Sequence, residues 1–312
     1  MLALAVVPAV HAQQPAYPNR PITFITPFAP GNAADILVRG IAQEMTRADG
    51  VPVAVESRPG AATFLAAQAV TRAQPDGYTI LVTGYSTFTS NRFLFKKLPY
   101  DPVKDFQPVT TLARGTLILM VGPSVHARNL QELIAQAKQQ PGKFSYAEAT
   151  AGTRVAAELF QRKAGITLNR IPYKTSTQAI PDLMSGLIDM TFTDMSVMRQ
   201  VKEGRLRALA VADTKRNPLA PEIPTMEELG VKDMESMSFT LMMAAPAGTP
   251  MAVVEKLRAM VTKAGRAPST LPIYANGGTV PFYTTPAEMS ALIERESKVW
   301  ADVVKAAGME PQ

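Results

Sequence analysis

The sequence predicts an α/β protein of two lobes joined by a two-strand hinge. Three observations carry this expectation. Short β-rich apolar runs alternate with stretches of helical apolar spacing, the pattern of sheets covered by helices. An apolar strand running straight into a Gly-bearing loop and then a helix occurs once in each half, as "ITPFAPGNAADILVRGIAQEM" and "FSYAEATAGTRVAAELFQRKA". At 312 residues the chain is also long for one core, and lengths of this order favour two domains of roughly 100–200 residues.

Taken in order, the expected strands are "ITFIT" (22–26), "VPVAVES" (51–57), "YTILVTG" (78–84), "TLILMVG" (116–122), "KFSYAEA" (143–149), "LNRIPY" (168–173), "DMTFTD" (189–194), "LRALAVA" (206–212) and "FTLMMAA" (239–245). The alternation by itself argues for parallel sheets. "QPDGY" at 74–78 reads as a turn feeding a strand. Asn129 with Glu132, and Thr285 with Glu288, have capping-box spacing. Pro250 and Pro286 stand where a first helical residue would, and Gly142 and Gly230 where helices would stop. The last helix, roughly 286–307, spaces Met289, Leu292, Ile293, Val299, Trp300, Val303 and Val304 as a core face. Strand "TLILMVG" follows the first group of strands and "FTLMMAA" precedes the last helices, with a self-contained block between them. A chain that goes out and returns in this way describes two hinged lobes. The expected boundaries are 17–118 with 243–312 for the first lobe and 119–242 for the second; one continuous doubly wound sheet is the alternative.

Composition narrows the function. The chain has no Cys, so disulfides and thiolate chemistry are excluded. Of two His residues, His11 lies in the apolar leader and His126 in a surface-like turn, leaving little material for a Ser-His-Asp set or a metal centre. No G-x-S-x-G, phosphate-binding or dinucleotide fingerprint is present, and "DPVKD" lacks the glycine of a calcium loop. No cofactor or metal is expected. The net charge of +6 comes from 32 basic residues scattered among 26 acidic ones, and the longest basic run is Lys96-Lys97. That is a basic surface favouring small anions, without the stripe of a nucleic-acid binder. Residues 1–12, "MLALAVVPAVHA", are apolar, too short to span a bilayer and small-ended at Val10 and Ala12. They read as the end of a secretory signal cleaved near Ala12, with the true start upstream because no basic residue precedes Arg20. An exported protein, in the periplasm, is expected.

In open α/β sheets ligands sit beyond the carboxyl ends of the strands, and helix starts there offer unpaired N–H groups and a positive dipole end. Two such loops facing each other across a cleft would clamp an anion. Candidates from the first loop are Phe28, Ala29, Pro30, Gly31, Asn32, Ala33 and Asp35, with Asp35 serving alternatively as a helix cap. Asp194, after strand "DMTFTD", lines the cleft or helps close the hinge, and Arg154 pairs with a far carboxylate or faces solvent.

Many segments, among them "YPNRPITFITPFAPGNAAD", "SRPGA", "QPDGYTILV", "KKLPYDPVKDFQPV", "ELIAQAKQQPGKFSYA", "IPYK", "DLMSGLIDMTF", "GRLRALAV", "IPTMEELG" and "APAGTP", occur in order from Tyr17 to the final helix. In these the chain resembles the Bug family, the periplasmic solute receptors of tripartite tricarboxylate transporters. The resemblance implies a two-lobed, type II-like periplasmic binding protein, each lobe a mixed sheet flanked by helices. It implies a monomer, not an enzyme, that closes on a small carboxylate, a dicarboxylate or aromatic acid, and delivers it to a membrane permease. It further implies binding residues at Thr150, Ala151, Gly152 and Thr153 and in the segment Thr83, Tyr85 and Ser86. Asn32 stands where the family commonly has a second Gly and Thr175 where it usually has one, and both are candidates for ligand contact. A receptor serving a sensor kinase, and an enzyme using Asp35 with Asp194 on a carboxylic acid, are the alternatives.

Overall fold

The computed structural model describes residues 17–149, 151–173, 176–234, 238–306 and 310–311. The leader at 1–12, Thr150 and Thr175 lie outside the described residues. Among the described residues, eleven strands form two mixed sheets. The first contains β1 (Ile22–Thr26), β2 (Val53–Ser57), β3 (Thr79–Gly84), β4 (Phe106–Gly115), β10 (Phe239–Pro246) and β11 (Thr279–Pro281) in the order β11-β4-β10-β3-β1-β2. The second contains β5 (Ile118–Val121), β6 (Ser145–Glu148), β7 (Asn169–Pro172), β8 (Met190–Thr193) and β9 (Arg207–Val211) in the order β7-β6-β8-β5-β9.

Each sheet is parallel among its βα units and antiparallel where the chain crosses between lobes. β1 runs parallel to β2 and β3, whereas β10 is antiparallel to β3 and β4. In the second sheet β6 is parallel to β7 and β8, and β5 is antiparallel to β8 and β9. Alternation of helices and strands suggested parallel pairing throughout. The returning strands change that, because a chain that re-enters a sheet from its far end must run against its neighbours.

Period-two burial gives the first sheet two cores. Ile22, Phe24, Ile80, Val82, Leu241 and Met243 face α1 (Ala33–Asp49), α8 (Met251–Gly265) and α9 (Leu271–Asn276). Ile25, Leu81, Met242 and Ala244 face α2 (Phe64–Thr71) and the first half of a long final helix. In between lies α3 (Asn91–Leu94). The second sheet is covered on one face by α4 (Leu130–Gln139) and α5 (Ala151–Ala164), and on the other by α6 (Ser176–Ser185) and α7 (Met198–Lys202).

That final helix, α10 (Pro286–Ala306), belongs to both lobes. Met289, Leu292 and Ile293 pack into the first lobe's core. About two turns on, Trp300, Val303 and Val304 are buried with Leu159, Phe160 and Phe192 of the second.

Local signals account for the helix ends. The Asn129 side chain accepts from the Glu132 N–H at 2.8 Å, and Thr285 and Glu288 exchange the two bonds of a capping box. Pro286 opens α10, but Pro250 is the cap residue before α8 and not its first turn. Gly142 follows α4 with φ +76°, whereas Gly230 ends a turn and not a helix.

Two strands escaped the sequence reading. β4, "FQPVTTLARG", carries a proline that argues against an interior strand. Its pairing with β10 shifts register twice, between Leu241 and Met242 and between Met243 and Ala244, and Pro108 sits beside the second shift. Thr110 and Thr111, both fully buried, donate their hydroxyls to the Thr284 and Phe282 carbonyls at 2.8 and 2.7 Å. β11 is three residues long, too short for any periodicity.

Trp300→Ala should cost about 3–5 kcal/mol, the usual range for deleting a buried aromatic. Because α10 is shared, urea unfolding followed by circular dichroism should show one shifted transition; separate melting of one lobe would show that α10 does not couple them.

Candidate functional site

The loop from β1 to α1 is closed largely by its own side chains. Gly31 adopts φ +85°, a conformation open to glycine without strain. Its N–H donates to the Asp35 carboxylate at 3.0 Å, the Asn32 N–H donates to the Ala29 carbonyl at 3.1 Å, and the Asn32 side chain caps α1 by accepting from the Ala34 N–H at 2.9 Å. Asp35 is 1% exposed and also accepts from Arg39 Nε at 3.0 Å and Ser57 Oγ at 3.3 Å. Burial pushes its carboxyl up, but the hydrogen bonds from Arg39 and the Gly31 N–H outweigh this and hold it below the usual carboxylate range. Asp35 is therefore an internal strut of the loop, and the expectation of ligand contact at this residue is corrected.

The segment after β3 is a similar case. Thr83 is fully buried, with its hydroxyl 2.7 Å from that of Thr87, so it supports the wall and does not line it. Ser86 is half-buried. Tyr85 lies edge-on to Phe239 at 6.5 Å and tilted against Trp300 at 6.2 Å, and burial raises its phenol far above the usual value, leaving it neutral.

In the second lobe the expected loop is already helix. α5 begins at Ala151, so Gly152 and Thr153 stand in its first turn. Thr153 Oγ accepts from the Ala149 N–H at 3.1 Å and ties the helix start to the end of β6. β6 and β8 are parallel neighbours in register at Ala147 and Thr191. The start of α5 and the exposed Asp194 after β8 therefore share the sheet end that faces the first lobe.

A cavity of about 280 Å³ opens between the lobes. Phe28, Asn32 and Ala33 from the β1–α1 loop and Asp194 from the second lobe line it, so the structure brings these four predicted residues together. Among described residues, Ala29, Pro30, Gly31, Asp35, Thr83, Tyr85, Ser86, Gly152 and Thr153 are not part of that wall.

The remaining wall was missed from sequence. Gly115, Thr116 and Leu117 come from the crossing out of β4, Phe239 and Leu241 from β10, and Gly277, Gly278 and Thr279 from the turn between α9 and β11. "NGGT" at 276–279 was the available signal, a tight turn leading into a strand. A larger concavity of about 940 Å³ lies on the second lobe alone, around Asp189, Lys143 and Leu187. Walls from a single lobe give its contents no means of biasing lobe closure. Its carboxylate, Asp189, already accepts from the Ser124 and Ser145 hydroxyls at 2.8 Å.

Comparison with known proteins gives a consistent picture. A family model described as tripartite tricarboxylate transporter family receptor matches residues 37–309. The chain is 32% identical over 296 residues to protein BugT of Bordetella pertussis, covering 94% of this chain and 90% of BugT. Among solved structures it resembles the periplasmic binding protein BugD, with TM-score 0.70 and 31% identity over 95% of this chain and 100% of that one. It also resembles R. palustris Rpa4515 with adipate, with TM-score 0.75 and 29% identity over 95% and 100% of the two chains.

Asp35→Ala should destabilise the protein by about 1–3 kcal/mol at neutral pH, since it orphans donors that the buried carboxylate satisfies. The Asp35 value is lowered by folding. The stabilisation is thus fully present above the ordinary carboxylate value near pH 4 and is lost as pH falls through the lowered one. Urea unfolding of both proteins across that range should show the difference shrinking in acid; a difference independent of pH would refute the role of the charge.

Proposed function

Because the chain belongs to the tripartite tricarboxylate transporter receptor family, whose members are solute-binding receptors and not enzymes, we propose that it binds a small carboxylate between its lobes and presents the closed form to a membrane permease of that transporter type. The observation that carries the reading is the construction of the cavity: both lobes supply its wall, together with the chain crossing between them. A solute touching all of these binds the closed form more tightly than the open one, and that difference is what drives closure.

The placement of charge supports a carboxylate at the second lobe's end of the cleft. The positive end of α1 already meets Asp35 in its first turn, and three N–H groups of its loop are engaged within the loop. The first turn of α5 holds no acidic residue, and Arg154 stands in it. An anion is favoured at a helix start of this kind. On this reading the carboxylate sits at Gly152 and Thr153, and the body of the solute extends into the cavity past Phe28 and Phe239. The adipate held by the R. palustris relative supports a carboxylate ligand. The apolar leader supports export to the periplasm, and no described helix is long and apolar enough to cross a membrane.

A thermal-shift screen of the mature protein against aliphatic dicarboxylates, aromatic acids and acidic amino acids tests the proposal. A solute at a hundredfold excess over its Kd adds about 2.7 kcal/mol, so one class should raise Tm clearly and be recovered unaltered. A shift with neutral solutes alone would overturn it. Gly31→Pro should weaken binding of the active acid by tenfold or more (about 1.4 kcal/mol) with an unchanged circular dichroism spectrum. Proline cannot adopt a positive φ and has no N–H for Asp35; unaltered affinity would separate the loop's shape from binding.

A further inference from the structure

The turn between α9 and β11 makes a contact that the binding reading does not use. A methyl group added at Gly278 would lie 3.1 Å from Met195 Cβ and 3.7 Å from the Met195 Cα and N. Met195 follows Asp194, is 7% exposed and belongs to the second lobe's core. A first-lobe turn therefore meets the second lobe at Met195, so closely that a side chain added at Gly278 would push Met195 back by a few tenths of an ångström.

The Gly278 side of this contact is held in place by its own turn and by β4. The Gly277 N–H donates to the Ile273 carbonyl at 3.0 Å and the Gly278 N–H to the Ala275 carbonyl at 3.1 Å. Thr279 is paired with Gly115 of β4, and the buried Tyr274 hydroxyl of α9 donates to the Leu112 carbonyl of β4 at 3.2 Å. Across the molecule, Tyr85, Phe93 and Leu94 of the first lobe pack on the same apolar cluster as Trp300 of the shared helix. The lobes are joined there by a continuous core, and the Gly278–Met195 contact is a second, separate one beside the crossing out of β4, where Thr279 pairs with Gly115.

We propose that the Gly278–Met195 contact is the stop against which the lobes close, and that it sets the length of solute the cleft accepts. This rests on the carboxylate-receptor reading and goes beyond it in assigning the α9–β11 turn as the third wall of the site. The cavity's volume of about 280 Å³ is at the lower edge of ligand pockets, which run from about 300 to 1,000 Å³. Phe28, Leu37, Leu117, Phe239 and Leu241 make most of its wall apolar. The solute that fits is a small acid with an apolar chain or ring, ending short of the stop. A longer body holds the lobes apart and forfeits the differential affinity that closure depends on.

The test uses Gly278→Asn, because Asn tolerates the φ of +67° at this position better than other side chains. Gly204→Asn is the control, with φ +70° and nothing within 4 Å of an added carbon. Affinities for acetate, butyrate, hexanoate and octanoate, and for succinate, adipate and suberate, are measured by calorimetry on all three proteins. The wild type and Gly204→Asn should share one optimum length. Gly278→Asn should bind the optimal acid about tenfold or more weakly (a tenfold change is about 1.4 kcal/mol) and shift its preference toward longer acids. The same affinity and the same optimum in Gly278→Asn would overturn the proposal and leave the carboxylate reading standing. If the wild type binds none of these acids, the carboxylate reading falls and the length gauge with it. A second measurement needs no ligand. The chain has no cysteine, so the double variant Met195→Cys, Gly278→Cys can form only that one intramolecular disulfide. Its formation under mild oxidation is expected, and failure to form while the protein stays folded would refute the closing contact.

Discussion

The structure depends on two chain crossings that are bonded to each other before either enters a lobe. Leaving β4, the chain passes through Thr116 and Leu117 into β5; leaving β9, it passes through Ala212 and returns at Ser238 into β10. The Ala212 N–H donates to the Leu117 carbonyl at 2.7 Å, Asn217 Nδ2 to Thr116 Oγ at 3.2 Å, and Ser238 Oγ to the Ala212 carbonyl at 3.2 Å. Arg114 and Asp213 add an ion pair at 3.1 Å, with side chains only 16% and 10% exposed. Partly buried pairs of this kind resist screening better than surface ones. Two strands bonded side by side resist shear along their length but bend together, which restricts the lobes to a hinge motion.

That hinge is asymmetric, and the asymmetry follows from where apolar surface was available. On one side α10 threads from the first core into the second, and Trp300 fills space between Tyr85 and the strands of the second lobe. Opening there would expose large aromatic surface to water, at roughly 25 cal/mol per Å². Gly278 and Met195 make a second, smaller contact between the lobes, beside the cavity that Asn32 and Asp194 line.

The β1–α1 loop shows how a loop's place can be legible in sequence while the partners of its side chains are not. A bare Pro-Gly loop between strand and helix marked it out, and Phe28, Asn32 and Ala33 do face the cavity. The role of Asp35 was hidden because an acid in a helix's first turn looks the same in sequence whether it faces a ligand or turns inward. Ser57, at the end of the neighbouring strand, and Arg39, one turn on, decide the matter, and only the pairing of β1 with β2 brings Ser57 there. The same holds for Thr83, which the family resemblance implied as a binding residue and which is fully buried with its hydroxyl against that of Thr87.

By itself the sequence determined the alternation of strands and helices, the capping boxes at Asn129 and Thr285, the positions of nine strands and the strand-loop-helix units whose starts face a cleft. These are properties of short stretches, fixed by local periodicity and by side chains bonding to their own backbone. Tertiary structure alone decided the rest. β4 is a strand because Thr110 and Thr111 find partners more than 170 residues away. α10 is common to both lobes because its two halves meet different cores, though its apolar face is continuous in sequence. The third wall at Gly277, Gly278 and Thr279 faces Met195 because β11 pairs with β4 and carries the turn across the cleft. Each is a contact between segments distant in sequence, and a local pattern cannot encode which distant surface it will meet.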